Sequence, residues 1–242
     1  MNKKDRQPEL GYWKIRGFAQ PIKFLLAYLN VQYTEQVYEV GAPHYSSACW
    51  PQVKDSLELD FEDMPYYVDA EDPNLKLTNT LAIIKYIALR YGPESLVGQT
   101  AEQKGQLEML AHVISDLLNN KATKLCYDPS QDKHKLGSIL VEDMSRIAQF
   151  METSQAEGFF LVGEKPTYAD FILFELINRV DWMSEGSLLQ TYPNLKHFHT
   201  MFRELPGIQE YLQTNKLFKQ CPYNQKMAKI NNLKEIERAA GR

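Results

Sequence analysis

Cysteine is scarce in this sequence, with three residues among 242. Cys49, Cys126 and Cys221 lie far apart and form no CxxC pair, which argues against a disulfide framework and predicts a reducing compartment, the cytoplasm. Long apolar runs are also missing, since none approaches the roughly 20 residues that a membrane-spanning helix needs. The first nine residues are polar and lack the apolar stretch of a signal peptide.

A strong excess of one charge is absent as well. The formal net charge is -4, from 27 basic and 31 acidic residues, so nothing electrostatic favours nucleic acid or an anionic membrane as partner. The five histidines are scattered, and His197 and His199 point to different sides of a predicted helix. No phosphate loop, GxSxG or HExxH motif occurs, so no metal is expected.

The first ninety residues mix strand and helix patterns. Runs rich in Val and Tyr predict strands, whereas Pro21 predicts the start of a helix because proline is tolerated in a first turn. The predicted order is strand, helix, strand, strand, strand, helix, at residues 10–13, 22–29, 31–40, 64–68, 75–77 and 78–91. This order predicts a mixed sheet with helices packed on it.

Residues 92–100 are rich in Gly, Pro, Glu and Ser and are interpreted as a linker. Beyond them the apolar period becomes helical. Two apolar stripes carry the pattern, namely Leu107, Leu110, Ile114, Leu117 and Leu118, and then Ile139, Ile147, Phe150 and Met151.

One helix start is marked by Thr167 and Asp170, a carboxylate variant of the capping box. The following run, residues 171–177, is apolar on nearly every face. We therefore expect this helix to be the buried centre of an all-α region.

Several short motifs, in order along the chain, resemble those of mu-class glutathione transferases. They are LGYWKIRG at 10–17, LDF at 59–61 running into MPY at 64–66, LTNTLAI at 77–83, LCY at 125–127, YPNL at 192–195 and KMA at 226–228. The resemblance covers about residues 8–228. It implies an α+β, thioredoxin-like N-terminal domain (8–92), an all-α C-terminal domain (100–228), a homodimer, and a cis proline at Pro65.

Tyr12 occupies the family's catalytic position. A thiol with a pKa near 8.5 is mostly protonated at neutral pH, and a hydroxyl that donates a hydrogen bond to the sulfur favours the reactive thiolate. The resemblance therefore implies that Tyr12 activates glutathione, the co-substrate. The alternative is a tyrosine of the core, since the chain has 14 tyrosines.

The resemblance also implies which residues hold the tripeptide. The glutathione-binding set is Tyr12, Trp13, Phe18, Trp50, Lys54, Met64, Pro65, Asn79, Thr80 and Asp116. Lys54 supplies charge for the glycine carboxylate, and Thr80 receives the γ-glutamyl carboxylate at a helix N-terminus. Asp116 reaches the γ-glutamyl amine from the neighbouring subunit, or else is a polar residue on an exposed helix face.

Two positions depart from the mu-class pattern. Ser47 replaces an arginine near the glycine carboxylate, and Asp63 replaces the asparagine before Met64. One cation is missing and one anion is added, so we expect weakened glutathione binding.

The acceptor side is predicted to be an apolar pocket that includes Phe18 and Tyr127. The Tyr127 hydroxyl suits developing negative charge, although the residue could equally serve helix-end packing. Phe61 resembles the family's aromatic key, which inserts into the partner subunit, but could also pack within its own subunit.

These features lead to one main function and one alternative. The main prediction is an enzyme that joins the glutathione thiolate to hydrophobic electrophiles, a detoxification chemistry. The alternative is a non-catalytic binding or assembly subunit of the same fold, which Ser47, Asp63 and the extension at 229–242 favour. That extension predicts a short amphipathic helix from Met227 to Ala239, docked on its own dimer or on a protein partner.

Overall fold

The computed structural model describes residues 6–39, 49–127, 133–154 and 159–224, together with 228 and 230. The strands are β1 (Glu9–Trp13), β2 (Thr34–Tyr38), β3 (Tyr66–Val68) and β4 (Lys76–Thr78). The helices are α1 (Gln20–Tyr28), α2 (Cys49–Val53), α3 (Thr80–Tyr91), α4 (Ala101–Asp116), α5 (Lys133–Asp143), α6 (Ser145–Ser154), α7 (Tyr168–Met183), α8 (Ser187–Thr191), α9 (Pro193–Arg203) and α10 (Ile208–Thr214). The predicted order of strands and helices in the first ninety residues is confirmed except for α2, which lies between β2 and β3 and was not predicted.

The four strands form one mixed sheet in the order β2-β1-β3-β4. β2 runs parallel to β1, whereas β3 is antiparallel to both of its neighbours. The parallel pair requires a crossover, which α1 supplies, and the antiparallel pair needs only the polar turn at residues 69–74. The fold is therefore a mixed sheet followed by a helical region, as expected.

The hydrophobic core is continuous through both regions. α1 packs against α3 and against α7, so it links the sheet to the helical region. The Phe24 ring of α1 meets the Phe174 ring of α7 edge-on, with centroids 5.2 Å apart. Offset and edge-on aromatic pairs of this kind stabilise a core beyond their buried area.

α7 is the central helix, as its apolar run predicted. Most of its residues are buried, and its N-terminus carries the expected capping box. The Asp170 carboxylate accepts hydrogen bonds from the Thr167 backbone at 2.7 Å and from the Leu161 backbone at 2.9 Å. The buried helix start thus has acceptors for backbone donors that would otherwise be unsatisfied.

Three local predictions differ from the structure. α3 begins at Thr80 rather than at residue 78, because Thr78 pairs with Tyr66 in the sheet and Asn79 adopts a φ of 75°. Ile139 is exposed, since α5 turns Leu136 and Leu140 toward the core instead. The helical turns at residues 49–57 were not predicted from the sequence.

Residues 92–100 contain a short 3-10 helix, Glu94–Val97, and the domain division placed there stays a prediction. Most of the C-terminal extension, including the predicted helix, lies outside the described residues. Ala228 and Ile230 are described, and both are buried. Among the described residues, no helix is long and apolar enough to cross a membrane.

The α7 cap provides a test of burial. We expect Thr167→Ala to lower the free energy of unfolding by about 2 kcal/mol or more, because this N-cap is buried and bonded to Asp170. The matched control is Thr100→Ala, which removes the same cap from the exposed start of α4 and should cost about 0.5–1 kcal/mol. Urea denaturation measures both, and equal losses would contradict the role of burial.

Candidate active site

The Tyr12 side chain lies near the end of β1, buried beneath the turn that follows. Its hydroxyl oxygen accepts a hydrogen bond from the Phe18 backbone N–H at 2.8 Å. That turn reverses at Gly17, whose φ of 43° favours glycine. The turn therefore fixes the direction of the phenol group from the backbone.

The Tyr12 hydroxyl is a hydrogen-bond donor at neutral pH. Burial raises the pKa of Tyr12 to about 12, although the bond from Phe18 and the charge of Arg179 act against this rise. Its oxygen already accepts one bond, and an accepted bond polarises the O–H group further. The proton of Tyr12 is thus available to a negatively charged atom beside it.

A cavity of about 210 Å³ adjoins the Tyr12 side chain. The cavity is lined by the turn after β1, by the end of the helix that continues from α4, by α7 and by the segment at residues 222–224. The lining residues are Tyr12, Trp13, Ile15, Gly17, Phe18, Thr123, Cys126, Tyr127, Arg179, Pro222, Tyr223 and Asn224. Phe18 and Tyr127 thus share one cavity, and burial raises the pKa of Tyr127, which stays protonated.

α4 reaches this cavity through an irregular stretch. The helix continues beyond Asp116 as a π-helical segment, Leu117–Thr123. The Thr123 hydroxyl donates to the Leu118 carbonyl at 2.6 Å and accepts from Arg179 at 3.1 Å. Wider π-type turns are frequent at functional sites, and here one sets Thr123 and Tyr127 at the cavity wall.

A buried ion network supports the cavity from behind. The Arg16 Nη2 donates to the Glu175 carboxylate at 2.6 Å, and the Arg179 Nε donates to the same carboxylate at 2.9 Å. All three side chains are buried. This network was not predicted from the sequence, although Glu175 and Arg179 are charged residues four positions apart in a mostly apolar stretch.

The same network holds the turn after β1. The Arg179 Nη2 donates to the Gly17 carbonyl at 2.7 Å, and the Thr80 hydroxyl donates to the Phe18 carbonyl at 3.0 Å. The Phe18 N–H in turn donates its hydrogen bond to the Tyr12 hydroxyl oxygen. Groups from α7 and α3 therefore fix the backbone that orients the phenol.

An aromatic group lies on the other side of Tyr12. Trp50 stacks on Tyr66, with ring centroids 6.3 Å apart, and meets Tyr38 edge-on at 5.7 Å. Met64, Trp13 and Trp50 belong to the same small cluster as Tyr12. The Met64-Pro65 bond is cis, as the sequence implied.

Lys54 is close to this cluster but already has partners. Its ammonium group donates to the Glu62 carboxylate and lies 3.6 Å from Asp55. The bond to Glu62 raises the pKa of Lys54. Glu62 was not among the candidate residues, and its neighbour Asp63 accepts from the Met64 backbone at 2.8 Å.

The start of α3 faces the β1 turn. Asn79 is its N-cap, and the Asn79 side chain accepts from the Leu81 backbone at 2.9 Å. Thr80, next in the chain, is buried against Phe18. The Asn79 side chain therefore caps α3, a role that was not predicted from the sequence.

Of the described candidate residues, only Tyr12, Trp13, Phe18 and Tyr127 line the cavity. Trp50, Lys54, Met64, Pro65, Asn79 and Thr80 lie outside its lining, as do Asp116 and Phe61. Asp116 is exposed and accepts from the Asn120 side chain. Phe61 is 78% exposed, although its neighbour Leu59 is buried. Ser47 lies outside the described residues.

Comparisons with known proteins agree with the motifs. A model described as the N-terminal domain of glutathione S-transferase matches residues 8–89, and one described as the C-terminal domain matches residues 115–215. Glutathione S-transferase Mu 5 of Rattus norvegicus is 35% identical over 226 residues, which cover 92% of this chain and 95% of that protein. A glutathione S-transferase of Tyrophagus putrescentiae is 35% identical over 229 residues, covering 93% of this chain and 97% of its own length.

Solved structures are similar in fold. The Pi-class glutathione S-transferase of Onchocerca volvulus aligns with a TM-score of 0.77 and 23% identity, over 92% of this chain and 99% of that one. The glutathione S-transferase Blo t 8 aligns with the same score at 24% identity and the same coverage. At these identities the structures establish the fold alone.

The turn at Gly17 can be tested by adding one methyl group. A Cβ at this position would lie 2.3 Å from the Tyr12 hydroxyl oxygen, on a backbone that disfavours L side chains. We expect Gly17→Ala to displace the Tyr12 ring and to lower the free energy of unfolding by about 1 kcal/mol or more. A crystal structure and chemical denaturation of the variant check these two effects.

Gly105→Ala is the matched control, because a Cβ there meets no atom within 4 Å in a helix interior. It should raise the free energy of unfolding by about 0.5–1 kcal/mol. A Gly17→Ala variant that matched it, with Tyr12 unmoved, would contradict the assigned role of the turn.

Proposed function

The chain belongs to the glutathione S-transferase family, and we propose that its Tyr12 hydroxyl activates the thiol of glutathione for attack on a hydrophobic electrophile. The observation that carries this proposal is the Phe18 N–H bond to the Tyr12 oxygen, at the wall of a cavity. It leaves the phenol proton as the free donor. A donor aimed at a sulfur anion lowers the pKa of the thiol.

Thiol activation and positioning are sufficient for this reaction. The thiolate sulfur forms a bond to the electrophilic carbon, and a leaving group departs or the adduct takes up a proton. Tyr12 stays protonated throughout, since its own pKa of about 12 lies well above neutral pH. Holding both reactants next to each other at Tyr12 would remove much of the entropic cost of their encounter.

We propose that the γ-glutamyl end of glutathione binds at the start of α3. The first backbone N–H groups and the dipole of a helix favour a carboxylate there. Thr80 can still accept a bond while it donates to Phe18. Asn79 contributes mainly through its backbone, because its side chain caps α3.

At the other end of the ligand, Lys54 together with Trp13 and Trp50 would receive the glycine carboxylate. The Lys54–Glu62 pair is partly exposed, and solvent screening weakens such pairs, so the carboxylate can displace Glu62. The competing Glu62 and the nearby Asp63 both support weakened binding of the anionic ligand. The Met64 backbone beside Pro65 would pair with the cysteinyl unit.

Phe18 and Tyr127 would contact the electrophile, because both line the cavity next to Tyr12. The Tyr127 hydroxyl is protonated and can donate to an oxygen or leaving group that gains negative charge. The cavity of about 210 Å³ is below the roughly 300–1,000 Å³ of common ligand sites, which favours small acceptors.

A homodimer is part of the proposal. Phe61 is largely exposed, and so are Leu89 on α3 and Met109 and Val113 on α4. Apolar side chains of this size at the surface favour an interface. A symmetric contact would cover them and bring the exposed Asp116 carboxylate toward the partner's ligand.

We also propose a cytoplasmic location, which the scarcity of cysteine and the reduced thiols of Cys49 and Cys126 support. Conjugation of reactive electrophiles there would serve detoxification. Docking of residues 227–239, on the chain's own dimer or on a partner, stays a prediction.

Tyr12→Phe tests the catalytic role. We expect the fold and glutathione binding to persist, while the pKa of bound thiol rises by about 1–2 units, because a charged hydrogen bond contributes roughly 1.5–3 kcal/mol. Titration of the thiolate absorbance with pH measures this. Tyr127→Phe is the control, since it should leave the thiol pKa unchanged, and identical curves for wild type and Tyr12→Phe would remove Tyr12 from its assigned role.

Phe61→Ser tests the dimer. Losing two symmetric phenylalanine contacts, at roughly 1.5–3 kcal/mol each, should weaken dimerisation about a hundredfold or more. Sedimentation at micromolar concentration measures it, with Phe159→Ser as control because Phe159 is another exposed phenylalanine. A wild-type monomer at that concentration, or equal effects of both substitutions, would rule out the proposed contact.

A further inference from the structure

A buried arginine forms part of the cavity wall beside Tyr12. The Arg179 side chain is 2% exposed, yet it is among the residues that line the 210 Å³ cavity together with Tyr12, Phe18 and Tyr127. A charged side chain therefore forms part of the wall that a bound acceptor would face.

The ion network around Arg179 carries an excess of positive charge. Within the described part of the chain, the ion pairs of Arg16 and Arg179 both end on Glu175, which gives two cations to one anion. The Arg179 guanidinium also donates to the Gly17 carbonyl and the Thr123 hydroxyl and lies 5.4 Å from the centre of the Tyr223 ring, all of which are neutral groups. The net charge of Arg16, Arg179 and Glu175 taken together is therefore +1.

This charge acts on the cavity. It lowers the pKa of Tyr12, Cys126 and Tyr127, each of which burial raises. For Tyr12 its effect exceeds the opposite effect of Asp63. Electrostatic interactions are strong in a buried site because little water screens them.

An uncompensated buried cation is costly, and an anion that enters the cavity would relieve that cost. The dominant anion near Tyr12 during reaction is the thiolate, but the acceptor shares the same small space. A carboxylate carried by the acceptor would meet the guanidinium through a charge-assisted hydrogen bond.

We propose that Arg179 is a specificity-determining residue that selects small electrophiles carrying a carboxylate over their neutral counterparts. This inference rests on the proposed function, because it concerns the acceptor half of the same site. In a cavity of this size without a cation, desolvation would favour the neutral molecule. The positive charge of Arg179 reverses this preference, so that the carboxylate is favoured over the neutral molecule.

Two matched acceptors test the preference, 4-chloro-3-nitrobenzoate and its methyl ester. With either one the glutathione sulfur bonds to the chlorinated carbon, chloride leaves with the electron pair of the C–Cl bond, and the thiol proton goes to solvent. Because the ester is intrinsically the more reactive acceptor, we expect the carboxylate-to-ester ratio of kcat/KM for wild type to exceed the same ratio for the uncatalysed reaction with glutathione. Arg179→Gln should lower the carboxylate-to-ester ratio about tenfold or more.

Two further variants separate charge from structure. Arg179→Lys keeps the charge and should retain part of the preference, whereas Arg90→Gln removes an arginine from an exposed ion pair and should leave the ratio unchanged. In Arg179→Gln the buried Glu175 keeps Arg16 as partner, so its charge stays compensated. An unchanged ratio in Arg179→Gln would overturn the proposal.

Binding of non-reactive analogues gives a readout independent of turnover. Calorimetry with 3-nitrobenzoate and methyl 3-nitrobenzoate should show tighter binding of the acid to wild type and a lost preference in Arg179→Gln. Wild type that binds the ester as tightly as the acid would overturn the proposal. If neither chlorinated acceptor is turned over, the proposed function fails, while the binding preference still decides the role of Arg179.

Discussion

The salt bridge between Glu175 and its two arginines is the interaction on which the rest of the site depends. Glu175 belongs to the central helix α7, whereas Arg16 belongs to the turn after β1, so the bond joins the helical region to the sheet. Breaking a buried pair by removing one partner costs about 3–5 kcal/mol, because the remaining charge has no water to solvate it. The turn is thereby held against α7 in one position.

A short chain of contacts connects that salt bridge to the Tyr12 hydroxyl, for which we propose the catalytic role. Arg179 holds the Gly17 carbonyl, and the next residue, Phe18, directs its N–H at the Tyr12 oxygen. The Gly17 carbonyl and the Phe18 N–H are backbone groups, so rotation of a side chain cannot move them. The orientation of the Tyr12 hydroxyl is therefore set by α7 and α3 as much as by β1.

Much of the fold followed from local patterns. The alternation of strands and helices, the capping box at Thr167 and the buried run of α7 depend on residues near one another in the chain, and such signals are legible in a sequence. The start of α3 was missed by two positions because Thr78 is taken up by a ladder bond to β3, which is a contact between strands. Ile139 was misjudged because a single apolar residue on a helix does not fix which side packs inward.

The sequence by itself determined the family and the mixed sheet with its helical region, and it predicted Tyr12 as the residue that activates the thiol, since motifs and periodicity are properties of neighbouring residues. Only the tertiary structure decided that Glu175 forms ion pairs with both Arg16 and Arg179 and that Glu62 forms an ion pair with Lys54. It also decided that Arg179 and Tyr127 line the same cavity as Tyr12. Arg16 and Glu175 are separated by 159 positions. Whether such charges meet, and whether water is excluded when they do, depends on packing of the whole chain and not on any local pattern.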